Sequence, residues 1–96
     1  MRRVVKTKFP LNPLIDELSV LGAAVRASRT EAGMTLAEAA MTLQITPKTL
    51  ADLESGKPTV SLGIALKVAH GFGLSLLVIR DTELDFVMKT LVGHNL

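Results

Sequence analysis

Few residues of this 96-residue chain belong to the types that carry covalent or redox chemistry. Cysteine is absent, which excludes thiol nucleophiles, disulfides and thiolate metal sites. The two histidines, His70 and His94, stand far apart and fit no metal-ligand spacing or nucleophile motif. The sequence also lacks a P-loop and a GxGxxG motif. We therefore expect no enzyme, no bound metal and no cofactor.

Hydrogen-bonding side chains gather instead on one short segment, residues 46–55. Its two leucines face one way, which leaves an outer face made of four residues: Pro47, Lys48, Ala51 and Asp52. Lys48 could donate to guanine O6 and N7, Asp52 could accept from cytosine N4, and Ala51 could touch a thymine methyl group. Asp52 repels phosphate, so it needs a base donor or a partner side chain there. An ordinary polar helix face is the alternative for each residue.

Two short helices position that face. Thr35 and Glu38 form the capping-box pattern Thr-x-x-Glu at the start of the upstream helix of this pair. Thr46 followed by Pro47 starts the downstream helix of the pair, and Gly56 ends it. Because so few residues separate them, the two helices must cross at a steep angle. This is the outline of a helix-turn-helix.

Apolar periodicity predicts further helices on both sides of this pair. Upstream, Asn12 is the expected N-cap of a first helix, Ser19 is a second candidate start, and Gly33 is a plausible stop. Downstream, Ser61 caps a fourth helix that ends near Gly71.

The remaining C-terminal residues have a weaker pattern. The apolar run Leu-Ser-Leu-Leu-Val-Ile-Arg at 74–80 is β-prone and predicts a short strand. Residues 81–96 fit either an amphipathic helix or a frayed tail. We divide the chain into a basic arm over 1–11, a helical DNA-binding domain over 12–74, and a dimerisation strand with a tail over 75–96.

The overall composition limits the class of protein. Hydrophobic residues make up 48% and charged residues 21%, which is typical of a globular domain. No apolar run approaches the roughly 20 residues that a membrane span needs. The lack of cysteine fits a reducing compartment, and we expect a cytoplasmic protein. Few aromatic residues are available to stack on single-stranded bases, which disfavours single-strand binding.

Over roughly residues 20–76, the chain resembles the Xre/Cro family of phage-repressor-like DNA-binding domains. The resemblance is strongest over residues 33–57, GMTLAEAAMTLQITPKTLADLESGK. Leu21-Gly22, Val25-Arg26 and Arg29 match the family's first-helix signature, and the segments 58–62 and 65–69 match its fourth helix. The resemblance implies an all-α, lambda-repressor-like helix-turn-helix domain of four to five helices, followed here by the short C-terminal strand. It implies double-stranded DNA as partner, with the third helix in the major groove.

Phosphate contacts are expected at helix starts, where backbone N–H groups point outward at positive dipole ends. Hydroxyl groups and one lysine add to them. The expected phosphate-contacting residues are Thr35, Leu36, Thr46, Thr49, Lys57, Thr59 and Ser61. Lys57 could alternatively be a solvated loop charge.

Two positions depart from the family pattern. Leu36 stands where the family usually has a glutamine that helps to hold a phosphate. Gln44 stands in the turn where the family usually has glycine, because the backbone there often takes positive φ. The resemblance also suggests a partly buried salt bridge between Arg29 and Glu54. Two solvated surface charges are the alternative.

The run at residues 73–76 is similar to the antitoxin branch that partners kinase toxins, the HipB-like proteins, which often end in a strand that pairs across a dimer. We therefore expect a homodimer through residues 76–80, with packing against Val4 and Val5 as the alternative. The tail around residues 86–92 is a candidate toxin-binding segment. The basic arm carries Arg2, Arg3, Lys6 and Lys8, and could follow DNA or remain a disordered tail.

Two functional hypotheses follow. The first is a sequence-specific DNA-binding transcriptional regulator, a repressor, with the antitoxin as its narrower version. The second is a protein-interaction module that has kept the fold and lost DNA binding, because fold alone does not decide function. Leu36, Asp52 and the modest net charge of +2 favour this alternative.

Overall fold

Five α-helices make up the regular structure of the computed structural model, which describes residues 3–93. They are α1 (Leu18–Glu31), α2 (Leu36–Leu43), α3 (Pro47–Glu54), α4 (Leu62–Gly71) and α5 (Asp81–Gly93). This confirms the all-helical class and shows that the tail is helical up to Gly93. Arg2, His94 and the last two residues of the predicted tail lie outside the described residues.

The predicted strand over residues 74–80 is absent from the described part of the chain, where this run has no regular secondary structure. A strand needs a neighbouring strand to complete its backbone hydrogen bonds. The single chain supplies none within residues 3–93. The run lies instead beside residues 13–15 and α5, and together they line an apolar groove of about 360 Å³.

α1 begins at Leu18, six residues after the expected N-cap. The side chain of Asn12 forms a local turn in its place, because its Oδ1 accepts a hydrogen bond of 2.9 Å from the Leu14 N–H. Ser19, the second candidate start, is close to the observed one. At the other end the prediction holds: Gly33 follows the helix with φ +73°, and the Met34 N–H donates to the Arg29 carbonyl.

α2 and α3 begin where their caps predict. The Thr35 hydroxyl accepts from the Glu38 N–H at 3.2 Å, and the Glu38 carboxylate accepts from the Thr35 N–H at 2.9 Å. This is the predicted capping box. In the turn, Gln44 adopts φ +60° and ψ +45°, the left-handed conformation that the family usually assigns to glycine.

The core lies between the first four helices. Val25, Leu50 and Val68, from three different helices, are completely buried. Gly22 lets α1 approach the end of α3, since a Cβ atom at that position would lie 2.5 Å from the Leu53 carbonyl oxygen. The alanines Ala39 and Ala40 allow a similarly close approach for α2.

α5 stands apart from this core. The Cα radius of gyration is 14.2 Å, whereas a compact domain of this length has about 12.5 Å. The aromatic ring of Phe86 on α5 is exposed. No helix within residues 3–93 combines the length and apolar character needed to cross a bilayer.

Candidate nucleic-acid interface

The outer face of α3 is built by two buried leucines on its inner side. Leu50 and Leu53 are in the core, and helical geometry turns the residues between them outward. Pro47 and Lys48 are exposed at the start of the helix, and Ala51 is half-buried. The Thr46 hydroxyl, which accepts from the Thr49 N–H at 3.1 Å, fixes the first turn.

Asp52 lies between two lysines. Its Oδ2 atom is 3.0 Å from the Lys48 Nζ, and its Oδ1 atom is 3.2 Å from the Lys57 Nζ. The Lys48 hydrogen bond, followed by that from Lys57, holds the pKa of the Asp52 carboxyl below its ordinary value of 3.8. We expected Asp52 to need either a hydrogen-bond donor on a base or a partner side chain. In the absence of DNA, Lys48 and Lys57 are its partners.

This arrangement changes what the face can offer to a ligand. Each ammonium group has three N–H donors and uses one on Asp52, so Lys48 and Lys57 can still donate to acceptors on DNA. Both oxygens of Asp52 are already engaged, and a donor such as cytosine N4 would have to share them with the lysines. The three side chains together carry a net charge of +1.

Three helix starts present backbone N–H groups. In each, the cap hydroxyl accepts from the third helical residue: Thr35 from Glu38, Thr46 from Thr49, and Ser61 from Ile64. Within residues 3–93, no hydrogen bond engages the N–H groups of Leu36 and Leu62. These N–H groups are free to donate to an anion.

The expected phosphate-contacting residues differ in their exposure and in the polar groups that they offer. Leu36 is half-buried and packs against the core, so its backbone N–H is its only polar group at the site. Thr49 is half-buried, and its hydroxyl shares a hydrogen bond of 2.8 Å with the Thr46 hydroxyl. Thr59, in contrast, is exposed in the loop before α4.

Arg29 and Glu54 tie this surface to α1. The Arg29 Nε and Nη2 atoms donate to the two carboxylate oxygens of Glu54 at 2.7 and 2.9 Å. The third donor, Nη1, reaches the Met34 carbonyl at 2.8 Å, just before α2. The pair therefore joins the end of α3 to the turn that sets the position of α2.

Sequence reasoning missed the contact of Lys57 with Asp52. The i,i+4 spacing of Lys48 and Asp52 is a visible signal for an ion pair on a helix. Lys57 lies beyond Gly56, whose φ of +78° reverses the chain after α3. Only this reversal brings the lysine back to Asp52, and the sequence pattern does not specify its direction.

A family model described as helix-turn-helix matches residues 25–79, which is more than half of the chain. The matched segment begins within α1 and contains α2, α3, the turn between them and α4. No curated protein matches the chain.

Proposed function

Because the chain belongs to the helix-turn-helix family, we propose that it is a sequence-specific transcriptional repressor that places α3 in the major groove of its operator. The observation that carries this proposal is the two-sided character of α3. Its leucines are buried, and its outer face exposes the long side chain of Lys48 beside Ala51 and Asp52. A helix with this division fits the width of the major groove and can present side chains to base edges.

In this proposal Lys48 is the principal base contact. Its side chain is 79% exposed and can extend toward guanine O6 and N7. Pro47 and Ala51 supply apolar contacts at the same face. Asp52 accepts from a base amino group or, as in the isolated chain, orients Lys48.

Phosphates are held around this helix. The N–H groups of Leu36 and Leu62 and the hydroxyl groups near them form two clamps at the starts of α2 and α4. Lys57 adds charge beside α3. The proposed phosphate-contacting residues are Thr35, Leu36, Thr46, Thr49, Lys57, Thr59 and Ser61.

The repressor acts as a homodimer through residues 76–80. Leu77 and Val78 are exposed in the single chain, at 70% and 103%, which supports their burial against a second copy. A second copy would also supply the strand partner that this run lacks. Two-fold symmetry would place two copies of α3 about 34 Å apart, one turn of DNA.

We further propose that α5 receives a toxin protein, as in the HipB-like antitoxins. Phe86 is 74% exposed, and Leu91 and Val92 are also accessible on this helix. An amphipathic helix that leaves the core can insert its apolar side into a partner's groove. Repression and toxin neutralisation then use different helices, α3 and α5.

Selection from a random duplex library, with the full chain as bait, tests the proposed function. We expect enrichment of a palindrome whose half-sites lie about one helical turn apart. Lys48→Ala should relax base preference more than it weakens binding overall, while Lys89→Ala on α5 is the matched control. The absence of any enriched palindrome would contradict sequence-specific recognition.

The second candidate is a protein-interaction module. The engagement of both Lys48 and Lys57 by Asp52 and the exposed Phe86 on α5 favour it. Salt separates the two candidates: duplex binding weakens steeply between about 50 and 200 mM salt, whereas an apolar protein contact does not.

A further inference from the structure

The basic segment before α1 is attached to the folded domain. The Thr7 N–H donates to the Thr30 hydroxyl at 3.1 Å, and the two hydroxyl oxygens are 3.4 Å apart. Thr30 lies in the last turn of α1, is only 4% exposed, and donates to the Ala27 carbonyl at 3.2 Å. Since the Thr30 hydroxyl is itself fixed in α1, it is a rigid anchor for the arm.

The arm runs antiparallel to α1. Thr7 is bound at the C-terminal end of the helix, while Phe9 and Pro10 line a cavity of about 160 Å³ with Val20 and Ala24, nearer its beginning. The residues before Thr7 are therefore tethered to the C-terminal end of α1.

α2 begins at that same end. The Met34 N–H donates back to the Arg29 carbonyl in the last turn of α1, and Thr35 caps α2 one residue later. An extended chain advances about 3.3 Å per residue, so Lys6 lies immediately beyond the anchor and Arg3 within about 13 Å of it. The anchor thus holds Lys6 and Arg3 within about 13 Å of the end of α1 from which the chain turns into α2.

These cations have no acidic partner in the described part of the chain. The ion pairs within residues 3–93 involve none of Arg3, Lys6, Lys8 and Arg26. Arg26 is exposed on α1, one turn before the anchor residue Thr30. The acidic residues at this end are Glu31, the last residue of α1, and Glu38, in the first turn of α2. The four cations outnumber these two carboxylates, so the net charge here is +2.

We propose that the arm is a fixed cationic extension of the interface, in which Arg3 and Lys6 contact the phosphates that flank the ones held by α2. The proposal rests on the proposed function, since that function puts the DNA backbone at the start of α2. Its partner is the phosphate backbone, without base preference. The contact with Thr30 orders the arm before DNA arrives, so binding loses less conformational entropy than it would with a loose tail.

Salt-dependent fluorescence anisotropy of the full chain on its selected duplex tests this role. Each phosphate contact contributes about 0.9 to the slope of log affinity against log salt. We expect Arg3→Ala and Lys6→Ala each to reduce the slope by about one, with base preference unchanged. Lys89→Ala, which removes a cation paired with Asp85 on α5, should leave the slope as in the wild type.

Two further variants test the anchor while all cations remain. Thr7→Pro removes the N–H donor and the hydroxyl without touching the core, and Thr30→Val removes the acceptor. Both should weaken binding several-fold at low salt, whereas Thr7→Ala, which keeps the N–H group, should weaken it less. Circular dichroism of each variant verifies that the helices are retained.

The outcomes are distinct. If the wild type binds duplex DNA but Arg3→Ala and Lys6→Ala keep its slope, the arm makes no phosphate contact and this inference fails alone. If those variants lower the slope while Thr7→Pro and Thr30→Val bind like the wild type, the arm acts as a loose tail and its fixed placement is overturned. If the wild type binds no duplex, this inference fails together with the proposed function.

Discussion

The guanidinium group of Arg29 and the carboxylate of Glu54 form a two-pronged ion pair, with side chains only 9% and 7% exposed. The two residues lie 25 positions apart in the chain, and their pairing connects α1 to α3. Since a third donor of Arg29 holds the Met34 carbonyl, the same side chain also braces the turn before α2. The position of α2 relative to α3 thus depends on the nearly buried guanidinium group of Arg29.

Removal of one member of this pair should destabilise the fold strongly. Arg29→Met leaves the Glu54 carboxylate buried without its partner, which we expect to lower the free energy of unfolding by about 3 to 5 kcal/mol. Urea denaturation monitored by circular dichroism measures it. The double variant Arg29→Met/Glu54→Leu should recover most of the loss, because no charge is then stranded. A loss below about 1 kcal/mol in the single variant would indicate a pair that behaves as if solvated.

Gly22→Ala should be destabilising although alanine favours helices. The new methyl group would overlap the backbone carbonyls of Leu53 and Glu54, which cannot move aside as a flexible side chain can. We expect a loss of about 1 to 3 kcal/mol. Gly63→Ala is the matched control, since the nearest atom to its new Cβ is the Ser61 Oγ at 3.9 Å. The control should gain up to about 1 kcal/mol, and equal effects of the two changes would exclude the close approach of α1 and α3.

Gln44→Gly should stabilise the protein. The left-handed backbone at φ +60° crowds the Cβ of an L-residue, and glycine relieves a strain of about 1 kcal/mol. The midpoint of thermal unfolding should rise. Gln44→Ala keeps the Cβ atom and should give no such gain. A lower midpoint for Gln44→Gly than for Gln44→Ala would contradict the strain, because the two variants differ only in the Cβ atom.

The Asp52 carboxyl should titrate below pH 3.8, because Lys48 and Lys57 favour its charged form. Its folded pKa is lower than its unfolded value, so its contribution to stability is complete above about pH 4 and is lost as pH falls through the lowered pKa. Carbon-detected NMR of the carboxyl group measures the midpoint. Lys48→Ala and Lys57→Ala should each move it toward 3.8, whereas Lys67→Ala on α4 should not. A wild-type midpoint at or above 3.8 would disprove the double pairing.

Features that depend on a few neighbouring residues could be predicted from the sequence. The caps at Thr35, Thr46 and Ser61 lie where expected, because a hydroxyl and an N–H group three residues on are enough to start a helix. The start of α1 could not be predicted in the same way. The side chain of Asn12 could cap a helix, but it stabilises a local turn instead. Asparagine is common both at helix N-caps and in turns, so the residue type alone does not predict which of the two forms.

The same distinction holds for the candidate site. Periodicity alone separates the buried Leu50 and Leu53 from the outer residues of α3. The pairing of Arg29 with Glu54 was expected only through the family resemblance, and the anchoring of Thr7 on Thr30 was not predicted at all. Both contacts join residues more than 20 positions apart, and a sequence pattern records spacing along the chain but not distance across it.

The linear sequence by itself determined the starts of α2, α3 and α4, their caps and the outward face of α3, because these follow from interactions within one or two helical turns. Tertiary structure decided which distant residues meet: Arg29 with Glu54, and Thr7 of the basic arm with Thr30 of α1. It also decided that residues 74–80 form no strand within the single chain. The physical reason is the same throughout, since long-range pairing depends on how the helices cross, and the crossing is set by the packing of the whole core.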